Sequence, residues 1–156
     1  MQGKNAMNDP TEATCRLHRV VPAEATNRRS PLLGTCFAFK RPNYFLTAAH
    51  CIESLAADQL IIAPNDRKNL AVADRAILHP TADLAILFVE ADRSVTGQNY
   101  FRQIMPPAMG ADYYAYGFPN IDNNTIRPRV FVGNFQNFRD HTRACHQLSQ
   151  MIAAAR

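Results

Sequence analysis

Residues 34–51 read GTCFAFKRPNYFLTAAHC, and this stretch decides the fold class. Small or polar residues alternate with aromatic ones at 35–40, which is the pattern of a half-buried β-strand. The triplet RPN at 41–43 favours a turn before the apolar triplet YFL at 44–46. The stretch therefore predicts a β-hairpin. A short helical turn is expected in the following AAHCIESLAA, because it is rich in strong helix formers.

Short strands separated by turn signals continue beyond this hairpin. The strand-like runs are QLIIA (59–63), LAVADRAIL (70–78), LAILFV (84–89), DYYAYGF (112–118) and RVFV (129–132). Closely spaced short strands are typical of an all-β sandwich or barrel. The nearly continuous apolar run at 84–89 predicts a strand that is buried on both faces or that closes a barrel. Residues 90–109 predict an interdomain connection, whereas the ending LSQMIAAAR favours a helix.

Composition limits the classes of function. The formal net charge of +4 results from 17 basic and 13 acidic residues, and the basic ones are scattered, which argues against a nucleic-acid-binding surface. No run of about 20 apolar residues occurs, so no transmembrane helix is predicted. Residues 1–14 are polar and contain no secretory signal, and a cytoplasmic protein without cofactor or metal is expected. The four cysteines are too few for a disulfide-built scaffold of this length.

The residues LTAAHC at 46–51 carry the most specific signal in the chain. A general base must project from a rigid element, and His50 directly follows a predicted strand, with the small residues Ala48 and Ala49 beside it. The segment 34–51 resembles the region around the catalytic histidine of the chymotrypsin/trypsin superfamily, and 46–51 match its motif at every position. The resemblance implies that His50 is the general base of a serine peptidase. The alternative is a buried structural histidine.

The segment HPTADLAIL at 79–87 supplies the second candidate residue. It resembles the family's catalytic-aspartate segment, in which an aspartate directly precedes an apolar strand, and Asp83 matches that aspartate. A carboxylate buried at the mouth of an apolar strand needs a hydrogen-bonding partner. The imidazole of His50 is the partner that the resemblance implies, because the contact would fix its tautomer. The alternative is that Asp83 only caps the turn after Pro80, and His79 is interpreted as structural.

Three more features bear on the resemblance. Cys36 and Cys51 match the family's disulfide across the hairpin, which would require an oxidising compartment. AYGFP (115–119) and RPRVFVGNFQ (127–136) resemble the first strands of the family's second barrel. The chain contains no IVGG-type segment of the activated eukaryotic members, so it resembles the bacterial type more closely.

The family's nucleophile is a serine in a glycine-rich GxSGG turn, and no such turn occurs in the 156 residues. Ser149 lies in HQLSQM, whose bulky residues do not provide that turn. The resemblance therefore implies an all-β, trypsin-like double β-barrel with a complete first barrel and an incomplete second one. The expected segments are an N-terminal segment (1–30), the first barrel (31–95), a linker (96–111), a partial second barrel (112–138) and a divergent helical tail (139–156).

The function implied is that of a trypsin-like serine endopeptidase domain acting on peptides or proteins. A chain truncated before the nucleophile is expected to be inactive by itself, because a histidine and an aspartate alone cannot form an acyl-enzyme. One alternative is a non-catalytic peptidase homologue that binds a peptide or protein through the barrel surface. A third reading, a nucleic-acid-binding β-barrel, would need a one-sided basic patch with stacking aromatic side chains.

Overall fold

The computed structural model describes residues 11–22, 30–64, 69–90, 95–96, 99–102, 108, 110, 112–118 and 129–134. These residues form strands and two short 3₁₀ turns, which confirms the all-β prediction. In chain order the strands are β1 (Thr14–Arg19), β2 (Leu32–Phe39), β3 (Arg41–Thr47), β4 (Leu60–Ala63), β5 (Ala71–Val72), β6 (Arg75–Leu78), β7 (Ala85–Phe88), β8 (Asp112–Gly117) and β9 (Arg129–Asn134). The helical tail predicted at 139–156 lies outside the described residues.

Seven strands form one sheet in the order β5-β4-β1-β2-β3-β7-β6, and each neighbouring pair is antiparallel. The two outermost strands, β5 and β6, are consecutive parts of one bent segment. The N–H of Ala73 donates to Leu60 O beside β5, and the N–H of Asp74 donates to Phe88 O in β7. Adjacent residues therefore bond to strands from opposite ends of the sheet, which curls it into a barrel. This is the first barrel that the sequence predicts.

The interior of the barrel is apolar and small side chains occupy much of it. Phe45 on β3 and Leu87 on β7 are fully buried inside, whereas Leu46 and Ile86 belong to a second buried cluster on the other face of the same strands. The apolar run of β7 is therefore buried on both faces, as predicted. Burying one such large side chain contributes about 1.5–3 kcal/mol.

The β2–β3 hairpin turns earlier than the sequence indicates. The predicted turn residues Arg41, Pro42 and Asn43 belong to β3, and the chain reverses at Lys40, which has a φ of 64°. Pro42 has no N–H to give to a neighbouring strand. It is tolerated because the pairing of β3 with β7 begins only at Tyr44.

Strand β1 lies between β2 and β4, although the sequence analysis assigns residues 1–30 to a segment before the barrel (31–95). Its Arg16 is only 6% exposed. The Arg16 guanidinium donates from Nη2 to Pro64 O at 3.0 Å and lies 6.0 Å from the centroid of the Phe118 ring. No strand was predicted for these residues from the sequence, and the partners of the buried Arg16 lie far along the chain.

The second sheet consists of β8 and β9, and Thr35 of β2 connects it to the barrel. The hydroxyl Oγ1 of Thr35 accepts a hydrogen bond of 2.7 Å from the N–H of Phe118, the residue after β8. A Cβ added at Gly117 would lie 2.9 Å from this Oγ1. Glycine at 117 therefore allows the two sheets to approach each other at this point.

Part of the predicted linker (96–111) packs on the barrel. Thr96 is buried and its hydroxyl donates to Pro42 O at 3.3 Å. The N–H of Phe101 donates to Ala38 O at 2.9 Å, and its ring meets Phe37 edge to face at 5.4 Å. This segment is thus attached to β2 through its backbone and its aromatic side chain.

Candidate active site

His50 lies in a 3₁₀ turn, Ala49–Cys51, that begins two residues after β3 ends. The N–H of Cys51 donates to Ala48 O at 3.2 Å, and the N–H of Ile52 donates to Ala49 O at 2.9 Å. Ile52 is buried in the barrel core. The turn is therefore fixed at both ends, by β3 and by the side chain of Ile52.

Asp83 occupies the turn before β7, on the same rim of the barrel. Strands β3 and β7 are antiparallel neighbours, and Thr47 at the end of β3 pairs with Ala85 at the start of β7. This register places the residues after β3 beside the residues before β7. It therefore brings together His50 and Asp83, which are 33 positions apart in the sequence.

Each oxygen of the Asp83 carboxylate contacts a different group of His50. Oδ1 accepts the backbone N–H of His50 at 2.8 Å, and Oδ2 lies 2.6 Å from the ring nitrogen Nδ1. A carboxylate that accepts both bonds restrains the main chain and the ring orientation of His50 together. The two residues singled out in the sequence are therefore in direct contact.

The contact has electrostatic consequences. The backbone N–H of His50, followed by its ring, holds the pKa of the Asp83 carboxyl below its usual range. An ionised carboxylate can only accept, so Nδ1 of His50 carries the proton that faces Oδ2. The other ring nitrogen, Nε2, is then unprotonated in the neutral imidazole and can accept a proton from a third group.

Both side chains are more accessible than the sequence indicates. The side chain of His50 is 68% exposed and that of Asp83 is 56% exposed. The expectation of a buried carboxylate, and the alternative of a buried structural histidine, are both wrong for this structure. The reason is that both residues lie in turns at the rim, beyond the ends of β3 and β7, where the described residues do not cover them.

Three of the four cysteines lie in the described part of the chain. Cys15, Cys36 and Cys51 are free, so the disulfide between Cys36 and Cys51 is not formed in this structure. Cys36 is directly opposite Cys15 in the β1–β2 pair, and both are fully buried. Burial, together with the neighbouring Cys15 and Cys51, raises the pKa of Cys36, which favours the neutral thiol. Gly34 leaves room for Cys51, because a Cβ at 34 would lie 3.0 Å from its Sγ.

His79 takes part in the structure of the Asp83 turn, which agrees with its interpretation as a structural residue. Its ring nitrogen Nδ1 accepts the N–H groups of Thr81 at 3.1 Å and Ala82 at 2.8 Å. A polar side chain that accepts N–H groups two and three residues later is a known way to cap a turn. The spacing of His79, Pro80 and Asp83 was the available signal for this role.

Within the described ranges, no group of three or more His, Cys, Asp and Glu side chains could hold a metal ion. In that same part of the chain, no helix has the length and apolar character needed to cross a membrane.

The sequence matches no protein-family model and no curated protein, but the structure resembles solved structures. A variant of the HtrA-type protease AlgW with a decapeptide has a TM-score of 0.59 and 18% identity, over 81% of this chain and 42% of that one. Kallikrein-related peptidase 10 in complex with Zn²⁺ has a TM-score of 0.58 and 15% identity, over 83% and 60%. The scabies mite inactivated protease paralogue S-I1 has a TM-score of 0.56 and 16% identity, over 88% and 68%.

The chain spans 42% and 60% of the first two of these proteins, so it corresponds to part of their length. At identities of 15–18% the likeness concerns the fold. The curled antiparallel barrel, with a histidine and an aspartate meeting at its rim, agrees with that likeness. The chain therefore has the trypsin-like, chymotrypsin-type fold of serine peptidases.

Proposed function

We propose that this chain provides the general-base half of a trypsin-like serine endopeptidase site, with His50 as the base and Asp83 as the residue that orients it. The single observation that carries the proposal is the pair of contacts between Asp83 and His50, at 2.8 Å to the backbone and 2.6 Å to the ring. These contacts leave Nε2 of an exposed imidazole available to take a proton from a nucleophile. In the triad mechanism the histidine accepts the serine proton in this way and the aspartate stabilises the imidazolium that forms.

The chain by itself is expected not to hydrolyse peptides. None of its 156 residues forms a GxSGG turn, and a general base without a nucleophile and an oxyanion hole lacks most of the catalytic power of a triad. The site becomes complete only when a serine in a glycine-rich turn is supplied by polypeptide outside these residues. The substrates proposed are peptides or proteins, in keeping with the decapeptide of the AlgW structure.

The test compares the purified chain with a longer polypeptide from the same coding region that carries a GxSGG turn. We expect the chain alone to leave an internally quenched peptide library uncleaved and to resist a fluorophosphonate probe. The longer polypeptide should react with the probe and cleave the library. His50→Ala should lower its kcat by about 10⁶-fold and Asp83→Asn by about 10⁴-fold.

Asp58→Asn is the matched control for this test, because Asp58 is an exposed aspartate in the other 3₁₀ turn, Ala57–Gln59, and contributes nothing to the site proposed. The control should leave kcat unchanged. The proposal is wrong if the chain alone cleaves peptides independently of His50, or if the longer polypeptide is active and Asp83→Asn has no more effect than Asp58→Asn.

The second candidate function is that of a non-catalytic homologue that binds a peptide or protein. The absence of a GxSGG turn favours it, and one of the similar structures is described as an inactivated protease paralogue. This candidate predicts peptide binding by the chain alone, measured by fluorescence anisotropy, with the same Kd after His50→Ala. It also predicts that no natural product of the coding region reacts with the fluorophosphonate.

A further inference from the structure

The turn that carries Asp83 is organised by the side chain of His79. Two consecutive backbone N–H groups, those of Thr81 and Ala82, converge on its Nδ1 at 3.1 and 2.8 Å. The main chain closes around this contact, since the N–H of His79 donates to Leu84 O at 2.8 Å and the N–H of Leu84 donates to Ala82 O at 2.7 Å. Asp83 thus lies between Ala82, whose N–H donates to the His79 ring, and Leu84, whose carbonyl oxygen accepts from the His79 N–H.

The convergence of two donors on Nδ1 defines the tautomer of the neutral ring. An imidazole nitrogen that accepts from two N–H groups has its lone pair there, so the proton of neutral His79 is on Nε2. His50 has the opposite arrangement, because its Nδ1 faces the acceptor Oδ2 of Asp83. The atom Nδ1 therefore has opposite roles in the two histidines. In His79 it accepts two N–H groups of the turn, and in His50 it donates to the Asp83 carboxylate.

The placement of Asp83 depends strongly on this turn. The Asp83 side chain is 56% exposed, so packing contributes little to its position. Its two hydrogen bonds to His50 can form only if the backbone of the turn places the carboxylate within hydrogen-bonding distance of the His50 N–H and ring. Thr81 is exposed and Ala82 is half-buried, so neither anchors the turn in the core. The His79 ring provides the local restraint that these side chains do not.

We propose that His79 is a positioning residue that holds the turn before β7 and thereby fixes the Asp83 carboxylate against His50; its importance for catalysis rests on the proposed function. His79 contacts the two N–H groups and does not contact a reacting atom, so its action passes through Asp83. The atom that matters is the acceptor Nδ1. A smaller side chain with an acceptor at similar reach should replace it, and one without an acceptor should not.

The experiment uses the 156-residue chain and compares His79→Ala with His79→Asn. Asparagine is the matched control, because its side-chain oxygen can accept N–H groups two or three residues later in the chain. The readouts are the pKa of Asp83, from a ¹³C NMR titration of its carboxyl carbon, and the hydrogen-bonded Nδ1 proton of His50. In His79→Ala we expect the pKa of Asp83 to rise toward its ordinary value of 3.8 and the Nδ1 proton signal to be lost. In His79→Asn both should stay as in the unchanged chain.

A role limited to stability would lower the urea midpoint of His79→Ala and leave the pKa of Asp83 in the folded chain unchanged; that result would overturn the proposal. A rise of this pKa in both variants would also contradict it, because the acceptor atom would then not be the cause. If His79→Ala does not fold, the proposal is tested instead by ¹⁵N NMR of the unchanged chain, which measures the tautomer of His79. In the neutral ring of His79, Nδ1 must be unprotonated and Nε2 protonated, and the opposite tautomer would exclude the proposal.

These measurements need no peptidase activity, so their outcome is independent of the proposed function. If the pKa of Asp83 responds as expected but no serine-containing product cleaves peptides, the positioning role stands and the catalytic function fails. If such a product is active and His79→Ala changes neither the pKa of Asp83 nor kcat, the catalytic function stands and the positioning role of His79 fails.

Discussion

The side chains inside the barrel and those at its rim are held in place by different interactions. Inside, large apolar side chains such as Phe45 and Leu87 have no exposure at all, and their packing sets the stability of the fold. At the rim, His50 and Asp83 are largely exposed and only hydrogen bonds hold them together. The comparison indicates that two hydrogen bonds, formed where two paired strands end, can hold exposed side chains against each other without a packed core around them.

Removal of an interior side chain should have the largest effect. Phe45→Ala leaves a cavity in the middle of β3, and we expect the free energy of unfolding to fall by about 3–5 kcal/mol. Urea unfolding followed by circular dichroism measures this loss. Leu70→Ala is the control, because Leu70 is 59% exposed and its truncation should change stability by no more than about 0.5 kcal/mol. Equal losses of unfolding free energy in both variants would contradict the claim that the interior side chains set the stability of the fold.

An intermediate effect is expected at the junction between the two sheets. Gly117→Ala would place a Cβ 2.9 Å from Thr35 Oγ1 and disturb the hydrogen bond from the N–H of Phe118, so we expect a loss of about 1–3 kcal/mol. Thr35→Ala removes the clashing atoms. The double variant should therefore be more stable than the sum of the two single losses predicts, as measured in a double-mutant cycle. If the losses of the two single variants add up to the loss of the double variant, the contact with Thr35 is not the reason why residue 117 must be glycine.

The smallest effect on stability is expected at the rim, and it depends on pH. The pKa of Asp83 is lowered in the folded chain, so its contribution to stability is fully present above its unfolded value and is lost as the pH falls through the folded value. The difference in unfolding free energy between the unchanged chain and Asp83→Asn should therefore be constant near neutral pH and shrink below about pH 4. Asp58→Asn, which changes an exposed aspartate outside the candidate site, serves as the comparison variant. A difference that persists unchanged into acid would contradict the lowered pKa of Asp83.

Much of the barrel could be predicted from the sequence, because its strands bury apolar side chains in short runs between turn residues. The strand around Ile86 was predicted with its burial on both faces, since a run of apolar residues leaves no polar face for solvent. Strand β1 was missed, because Arg16 is buried through contacts with Pro64 and Phe118 that lie far along the chain. The position of the hairpin turn was also missed, since the positive φ at Lys40 has no glycine to indicate it.

The candidate site was predicted in part. His50 and Asp83 were selected from local motifs, and the structure places them in contact. Their exposure was not predicted; a structural role was predicted for His79, but not the hydrogen bonds by which its ring organises the turn. Both depend on where the turns lie relative to the ends of β3 and β7, and that geometry is not a property of any short motif. The disulfide between Cys36 and Cys51 that the resemblance implies stays a prediction.

The sequence by itself determined which residues could perform proton transfer and which runs of residues could form a core, because residue chemistry and hydrophobic periodicity are local properties. The tertiary structure decided that the two candidates meet, because only the antiparallel register of Thr47 with Ala85 brings the end of β3 beside the start of β7. It also decided that the carboxylate stays accessible and that His79 restrains it, because burial and hydrogen bonding depend on how distant segments pack against each other.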